Sequence, residues 1–123
     1  MILFVYGTLL DPKALGYCAG QSIKAVAMKA SLPGHRRVRL RHAPYPTLRR
    51  CNAGEVPGVT LRINAAMLAA LIAYEGPRYR LARIMVRTSR GMRPAYCFFG
   101  DAATRVDWHH PDEKAMKLRS RAF

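Results

Sequence analysis

Ile2-Leu3-Phe4-Val5 sets four bulky apolar residues in a row, with no polar residue among them. A strand that alternates can leave one face in water. This run cannot, so it reads as a strand buried on both faces. A chain of 123 residues must then cover its first strand from two sides, which fits one domain with one core. Half of the residues are hydrophobic, enough to build that core.

Gly7 ends the run, and Asp11-Pro12 is a helix-start signal, with Asp as cap and Pro in the first turn. A short helix is expected over Pro12 to Cys18, closed by Gly20. Residues Ile23 to Leu32 read as a strand, and Pro33-Gly34 as a turn. Arg37-Val38-Arg39-Leu40-Arg41 has a clean period of two with arginines on one face, a half-buried strand with a wet side. His42 to Pro46 is a loop and Asn52-Ala53-Gly54 a turn. Val56 to Ile63 is a strand whose Pro57-Gly58 suggests a bulge or an edge. Asn64 caps the best helix in the chain, Ala65 to Tyr74, which Gly76 and Pro77 terminate. Strands over Leu81 to Thr88 and Pro94 to Phe99 follow, joined at Ser89-Arg90-Gly91. After Gly100 the composition turns to charge, and Asp112 to Arg121 reads as a helix or a basic tail. The order β-α-β-β-β-α-β-β implies an α+β fold, a small mixed sheet, curled or barrel-like, with two or three helices. The main domain is expected over 1–100, with 101–123 a basic tail packed on it or extending from it.

No apolar stretch is long enough to cross a membrane, and no basic segment precedes Met1 to Tyr6 as a signal peptide requires. Met1 reads as the true start and the protein as cytoplasmic. Cys18, Cys51 and Cys97 are odd in number and widely spaced, which argues against a disulfide framework or a zinc site and fits a reducing compartment. His109-His110 has no third ligand at helical spacing, so no metal is expected.

Seven acids stand against twenty-one lysines and arginines. Asp101, Asp107, Asp112 and Glu113 lie in the polar tail, Asp11 is a cap, and Glu55 sits beside a turn. Glu75 differs. It ends an apolar helix just before Gly76, where desolvation and the negative end of the helix dipole both raise a carboxyl pKa. A carboxyl near neutrality can accept and return a proton. Arg78 and Arg80 would act the other way, and an ordinary ion pair at the helix end stays open as an explanation. The loop Tyr6-Gly7-Thr8-Leu9 offers successive backbone N–H groups, a natural seat for a carboxylate or phosphate, though a strand-to-helix turn would look the same.

Phe4-Val5-Tyr6-Gly7-Thr8-Leu9 resembles the opening signature of the γ-glutamylcyclotransferase-like (AIG2-like) family, a strand running into Tyr-Gly-Ser/Thr-Leu. Leu32-Pro33-Gly34, Tyr45-Pro46-Thr47-Leu48 and Val56-Pro57-Gly58-Val59-Thr60-Leu61 are similar to its later segments, in the family's order. Tyr74-Glu75-Gly76-Pro77-Arg78-Tyr79-Arg80 looks like its "EG-x-x-Y-x-R", and Ala95 to Phe99 fits its closing strand. Ile72 stands where the family usually has an Asp, which removes a second acid. The resemblance implies that Tyr6, Gly7, Thr8 and Leu9 bind the α-carboxylate and amino end of a γ-glutamyl group, largely through backbone amides. It implies that Glu75 takes a proton from the α-ammonium so that the amine attacks the γ-carbonyl, releasing 5-oxoproline. Tyr79 would donate a hydrogen bond to Glu75 or to the substrate carbonyl, or simply pack. On this reading the partner is a small γ-glutamyl substrate, no cofactor is needed, and the protein is a monomer or weak dimer. An AIG2-like domain that binds a small acidic ligand without turnover keeps the fold and drops the activity.

A net charge of +14 attracts acidic molecules of every kind. A nucleic-acid module would use His35 to Arg41 with Arg49-Arg50. That segment holds no recognised binding motif, and its alternation is what a solvated strand face shows, with Arg37, Arg39 and Arg41 on one solvent face and far from the Tyr6 loop along the chain. A coding bias toward arginine, sixteen of the twenty-one basic residues, or steering of acidic γ-glutamyl compounds accounts for the charge without a nucleic-acid partner.

Overall fold

The computed structural model describes residues 1–7 and 27–109. The helix expected at Pro12 to Cys18, the loop residues Thr8 and Leu9, and the segment Asp112 to Arg121 lie outside them. In chain order the elements are β1 (Ile2–Val5), β2 (Met28–Leu40), β3 (Pro46–Arg62), α1 (Ala65–Glu75), β4 (Tyr79–Thr88), β5 (Gly91–Gly100) and β6 (Ala103–Asp107). Five strands close a barrel in the order β3-β1-β5-β4-β2 and back to β3, and β6 lies beside β2. β1 and β5 run parallel, while the other pairs are antiparallel. The expected mixed, barrel-like sheet is therefore present, with one helix among the described residues where two or three were expected.

β1 has the two-sided cover its composition demands. Leu3 and Val5 join Leu61, Ile63, Phe98 and the helix residues Met67 and Leu71. Phe4 and Tyr6 face the other way, into a cluster drawn from all five barrel strands, including Leu32, Leu48, Val86 and Cys97. Alternate residues of one short strand thus separate the barrel interior from the layer under α1. Gly58 permits this: a Cβ there would stand 2.3 Å from the Val5 carbonyl oxygen and against the Phe4 ring. Pro57 is not bulged and sits at an edge position, paired on one side only. It pairs with Ser31 beyond the last β1–β3 pair, Val5–Val59, where β2 alone flanks β3.

Three expectations change. The strands drawn on either side of Pro33-Gly34 are one strand, β2, and the turn drawn at Asn52-Ala53-Gly54 lies inside β3. Both turn signals act at one place. The β2–β3 register jumps from Pro33–Glu55 to His35–Arg50, setting Gly34 (φ 76°) opposite residues 51–54. The residues that would end a lone strand bend a paired one, because the ladder continues on both sides of the bulge. The third change concerns the residues after Gly100. Asp101 pairs with Arg78, β6 pairs with β2, and Asp107 pairs with Arg36. Trp108 is buried, its indole N–H donating to the Pro44 carbonyl at 2.8 Å. Five residues of mixed polarity gave no period that would mark an edge strand.

Among the described residues, no helix is long and apolar enough to cross a membrane. Adjacent residues of α1 test the packing. Leu71 is fully buried and Ile72 is 48% exposed. Leu71→Ala is expected to cost about 2–5 kcal/mol in urea unfolding, and Ile72→Ala to stay within about 0.5 kcal/mol.

Candidate active site

The site begins with the phase of α1. The Asn64 side chain caps the helix by accepting the Met67 N–H at 2.8 Å, and the Gly76 N–H closes it on the Ile72 carbonyl. Met67, Leu71 and Glu75 follow at spacings of four, so they share one stripe. The first two are buried in the core. Glu75 continues that stripe to the helix end and is carried inward with it. This spacing was present in the sequence and marks Glu75 more sharply than its apolar surroundings do.

There Glu75 meets the end of β1. Phe4, Val5, Tyr6, Gly7, Pro46, Glu75, Tyr79 and Phe98 line one small pocket of about 20 Å³. Oε2 of Glu75 is buried and has no hydrogen-bond partner among the described residues. Desolvation pushes the carboxyl up to about 8. The arginines that would oppose this shift are engaged elsewhere. Arg78 forms a fork with Asp101, with contacts of 2.8 to 3.2 Å, and donates to the Arg41 carbonyl. Arg80 lies over the Phe99 ring at 5.6 Å. The ion pair at the helix end is thus absent among the described residues, and burial decides the protonation of Glu75.

The remaining polar groups are weak acids. The Tyr6 hydroxyl, buried in the core, donates to the Phe98 carbonyl at 2.7 Å, and burial raises its pKa. Tyr79 donates to the Pro46 carbonyl at 2.7 Å, so its proton is held there and is not given to Glu75. Burial also raises the Tyr79 hydroxyl and the Cys97 thiol, and the Glu75 charge pushes both further the same way. A second negative charge is unwelcome in this pocket. The neutral carboxyl suits it at rest, and a cation brought by a ligand would suit the carboxylate.

Arg37 enters the site from an unexpected side. It does not share a fully solvated face with Arg39 and Arg41. Its guanidinium donates to the Tyr6 carbonyl at 2.7 Å and lies over the Trp108 ring at 5.1 Å. It ties the start of the loop to β2. Tyr6, Gly7, Glu75 and Tyr79 are thus brought together, while Thr8 and Leu9 lie outside the described residues. Sequence reasoning missed Pro46 and Phe98 as hydrogen-bond acceptors, Arg37 as a brace, and Asp101 as the group that holds Arg78 away from Glu75. The first two act through backbone oxygens, which carry no residue signature.

The sequence profile of the gamma-glutamyl cyclotransferase, AIG2-like family matches residues 3–116. Comparison with functionally described proteins gives no sequence match. Among solved structures, the chain is similar to a solution structure from Arabidopsis thaliana, at 23% identity and TM-score 0.73, covering 95% of this chain and 80% of that one. It is also similar to a structure described as gamma-glutamyl cyclotransferase, at 17% identity and TM-score 0.69, covering 84% and 68%. An AIG2-like protein from Mus musculus follows at 16% identity and TM-score 0.60, covering 91% and 96%. At these identities the structures share the fold.

Two measurements probe the site's electrostatics and bracing. The folded pKa of Glu75 lies near 8, above the ordinary 4.5, so between those values the folded state binds more protons than the unfolded one. Stability should therefore fall as pH rises through that window, by up to about 1.4 kcal/mol per pH unit relative to Glu75→Gln. Denaturant titrations of both proteins from pH 4 to 9 check this, and a constant difference would assign Glu75 an ordinary pKa. For Arg37, replacement by Ala should cost about 1–3 kcal/mol because the Tyr6 carbonyl loses a charged donor. The same change at exposed Arg39 or Arg41 should stay within about 0.5 kcal/mol in thermal or urea melts.

Proposed function

The chain belongs to the gamma-glutamyl cyclotransferase, AIG2-like family, and on that premise we propose that it releases 5-oxoproline from a γ-glutamyl compound, with Glu75 as the base and acid. What carries the reading is the buried, unpartnered Glu75 oxygen in a pocket shared with Tyr6 and Gly7.

The substrate α-carboxylate is held by backbone N–H groups of the Gly7-Thr8-Leu9 loop, and the α-ammonium lies against Glu75. The arriving cation favours the carboxylate. A peptide α-amino group titrates at about 7.7–8.0, and the free α-carboxylate beside it makes the γ-glutamyl amine more basic. Proton transfer to Glu75 therefore runs uphill, by less than it would to an ordinary carboxylate because Glu75 is raised to about 8. The transfer leaves two neutral groups in a poorly solvated pocket. The freed amine attacks the γ-carbonyl carbon and forms the C–N bond of the five-membered ring. The bond to the departing amine then breaks as Glu75 returns its proton to that nitrogen. Both reacting groups belong to one molecule, so the protein's main tasks are to hold the chain folded and to manage one proton. Tyr79, pinned to Pro46, and Tyr6, pinned to Phe98, wall the pocket. The steering of acidic substrates by the +14 charge belongs to the same reading.

The test is 5-oxoproline release across γ-glutamyl amino acids, γ-glutamyl amines, γ-glutamyl-lysine and glutathione. Glu75→Gln keeps the shape and removes the proton acceptor. It should lower kcat by roughly 10²–10⁴-fold with KM little changed. In the wild type, kcat/KM should rise through about pH 8 as Glu75 ionises and fall at higher pH as the substrate ammonium loses its proton. Turnover near wild type in Glu75→Gln would assign the base elsewhere. Binding of γ-glutamyl compounds without product from any of them would leave a ligand-binding domain.

A further inference from the structure

A second cavity, of about 590 Å³, lies across the β4–β5 hairpin from the Glu75 pocket. Tyr79 and Phe98 line the Glu75 pocket, while their neighbours Arg80 and Phe99, which are cross-strand partners, line the other cavity. Tyr79 and Phe98 thus serve one site and Arg80 and Phe99 the other. The bend in β2 produces the opening. β4 pairs with β2 at Thr88–Ala30 and Arg87–Ser31, and β2 then turns along β3 at Gly34, leaving β4 without β2 beside it from Val86 back to Tyr79.

The cavity has both an apolar and a basic lining. Buried Leu32 and Leu48 line it with half-buried Ile84 and Phe99 and with exposed Arg50, Arg80 and Arg83. The four described acids are committed elsewhere: Glu55 to Arg87, Asp101 to Arg78, Asp107 to Arg36, and Glu75 to its own pocket. No described carboxylate neutralises these three arginines. The Phe99 ring receives Arg80 on one face and meets the His35 ring edge-on at 6.0 Å. Exposed Met85 and Met92 border the same opening with side chains that adapt their shape.

We propose that this cavity binds a small organic anion with a flat apolar body, its phosphate or carboxylate on the Arg50, Arg80 and Arg83 guanidiniums and its body on Leu32, Leu48 and Phe99. Three like charges around one opening repel each other, and an anion relieves that repulsion. Guanidinium forks match phosphate and carboxylate oxygens in pairs. A bare inorganic anion would leave the apolar lining wet, whereas an apolar body covers it. The volume is that of a single small-molecule site rather than of a groove that tracks a polymer.

The probe is 8-anilinonaphthalene-1-sulfonate, an aromatic anion, titrated by fluorescence into the full chain at physiological salt. Arg50→Ser/Arg80→Ser/Arg83→Ser should weaken its binding by about tenfold or more. Arg39→Ser/Arg41→Ser/Arg90→Ser removes the same charge outside the cavity and should change it by less than about threefold, because distant charges are screened. Ala82→Phe fills the cavity from its wall without altering charge and should also abolish binding, with thermal melts confirming that each variant is folded. Competition with adenosine monophosphate and with naphthoate distinguishes a phosphate from a carboxylate ligand, and displacement by either supports the site. Equal losses in the two triple variants, retention in folded Ala82→Phe, or displacement by pyrophosphate as effective as by the aromatic anions would overturn it.

Discussion

The architecture depends on covering β1 from both sides. Four apolar residues leave the strand no face to give to water, so β3 and β5 flank it, the barrel interior takes Phe4 and Tyr6, and α1 covers Leu3 and Val5. Each of these contacts also shapes the Glu75 pocket. The helix that covers one face carries Glu75 in phase with Met67 and Leu71, and the strand itself ends in Tyr6 and Gly7. Two elements placed for packing therefore deliver an acid and a loop to the same point. A buried carboxyl at that point is costly unless it stays neutral, and the surroundings of Glu75 favour the neutral form.

Electrostatic sorting keeps that arrangement possible in so basic a protein. An arginine within a few ångströms of Glu75 would hold it ionised and fix it in an ion pair. Asp101 prevents this by taking Arg78 in a forked contact at the surface, and Phe99 occupies Arg80. The exposed Arg78–Asp101 pair adds little stability by itself. Its effect on the site lies in where it holds a charge. Arg37 shows the converse: its charge is directed to a backbone oxygen, Tyr6, where it braces the loop without reaching the carboxyl pocket.

The bend at Gly34 links both cavities. By turning β2 and β3 away from β4 it opens the basic cavity, and by carrying Pro46 and Arg37 toward β1 it walls the Glu75 pocket. Local turn signals at Pro33-Gly34 and at Asn52 to Gly54 had suggested two breaks in the chain. Brought opposite one another in a ladder, they make one corner. The strand after Gly100 went unread for a related reason, since an edge strand held by β2 needs little period of its own.

What the residues alone determined is what is local or periodic. A strand with no polar face, the capped helix from Ala65, the arginine alternation around Val38 and Leu40, and the isolation of Glu75 among the acids all follow from side-chain chemistry within a few residues. The order of elements added the barrel-like sheet, and the family-like segments added the pairing of the Tyr6 loop with Glu75. Only the tertiary structure decided the rest: which of two opposing effects governs Glu75, that Tyr79 spends its proton on Pro46, that Arg37 turns toward Tyr6, and that three arginines from two distant strands share one opening. These depend on distances between segments up to 92 residues apart, as in the Tyr6–Phe98 hydrogen bond. Charge–charge and desolvation energies are set by spatial separation and burial, and neither is encoded in the neighbouring sequence.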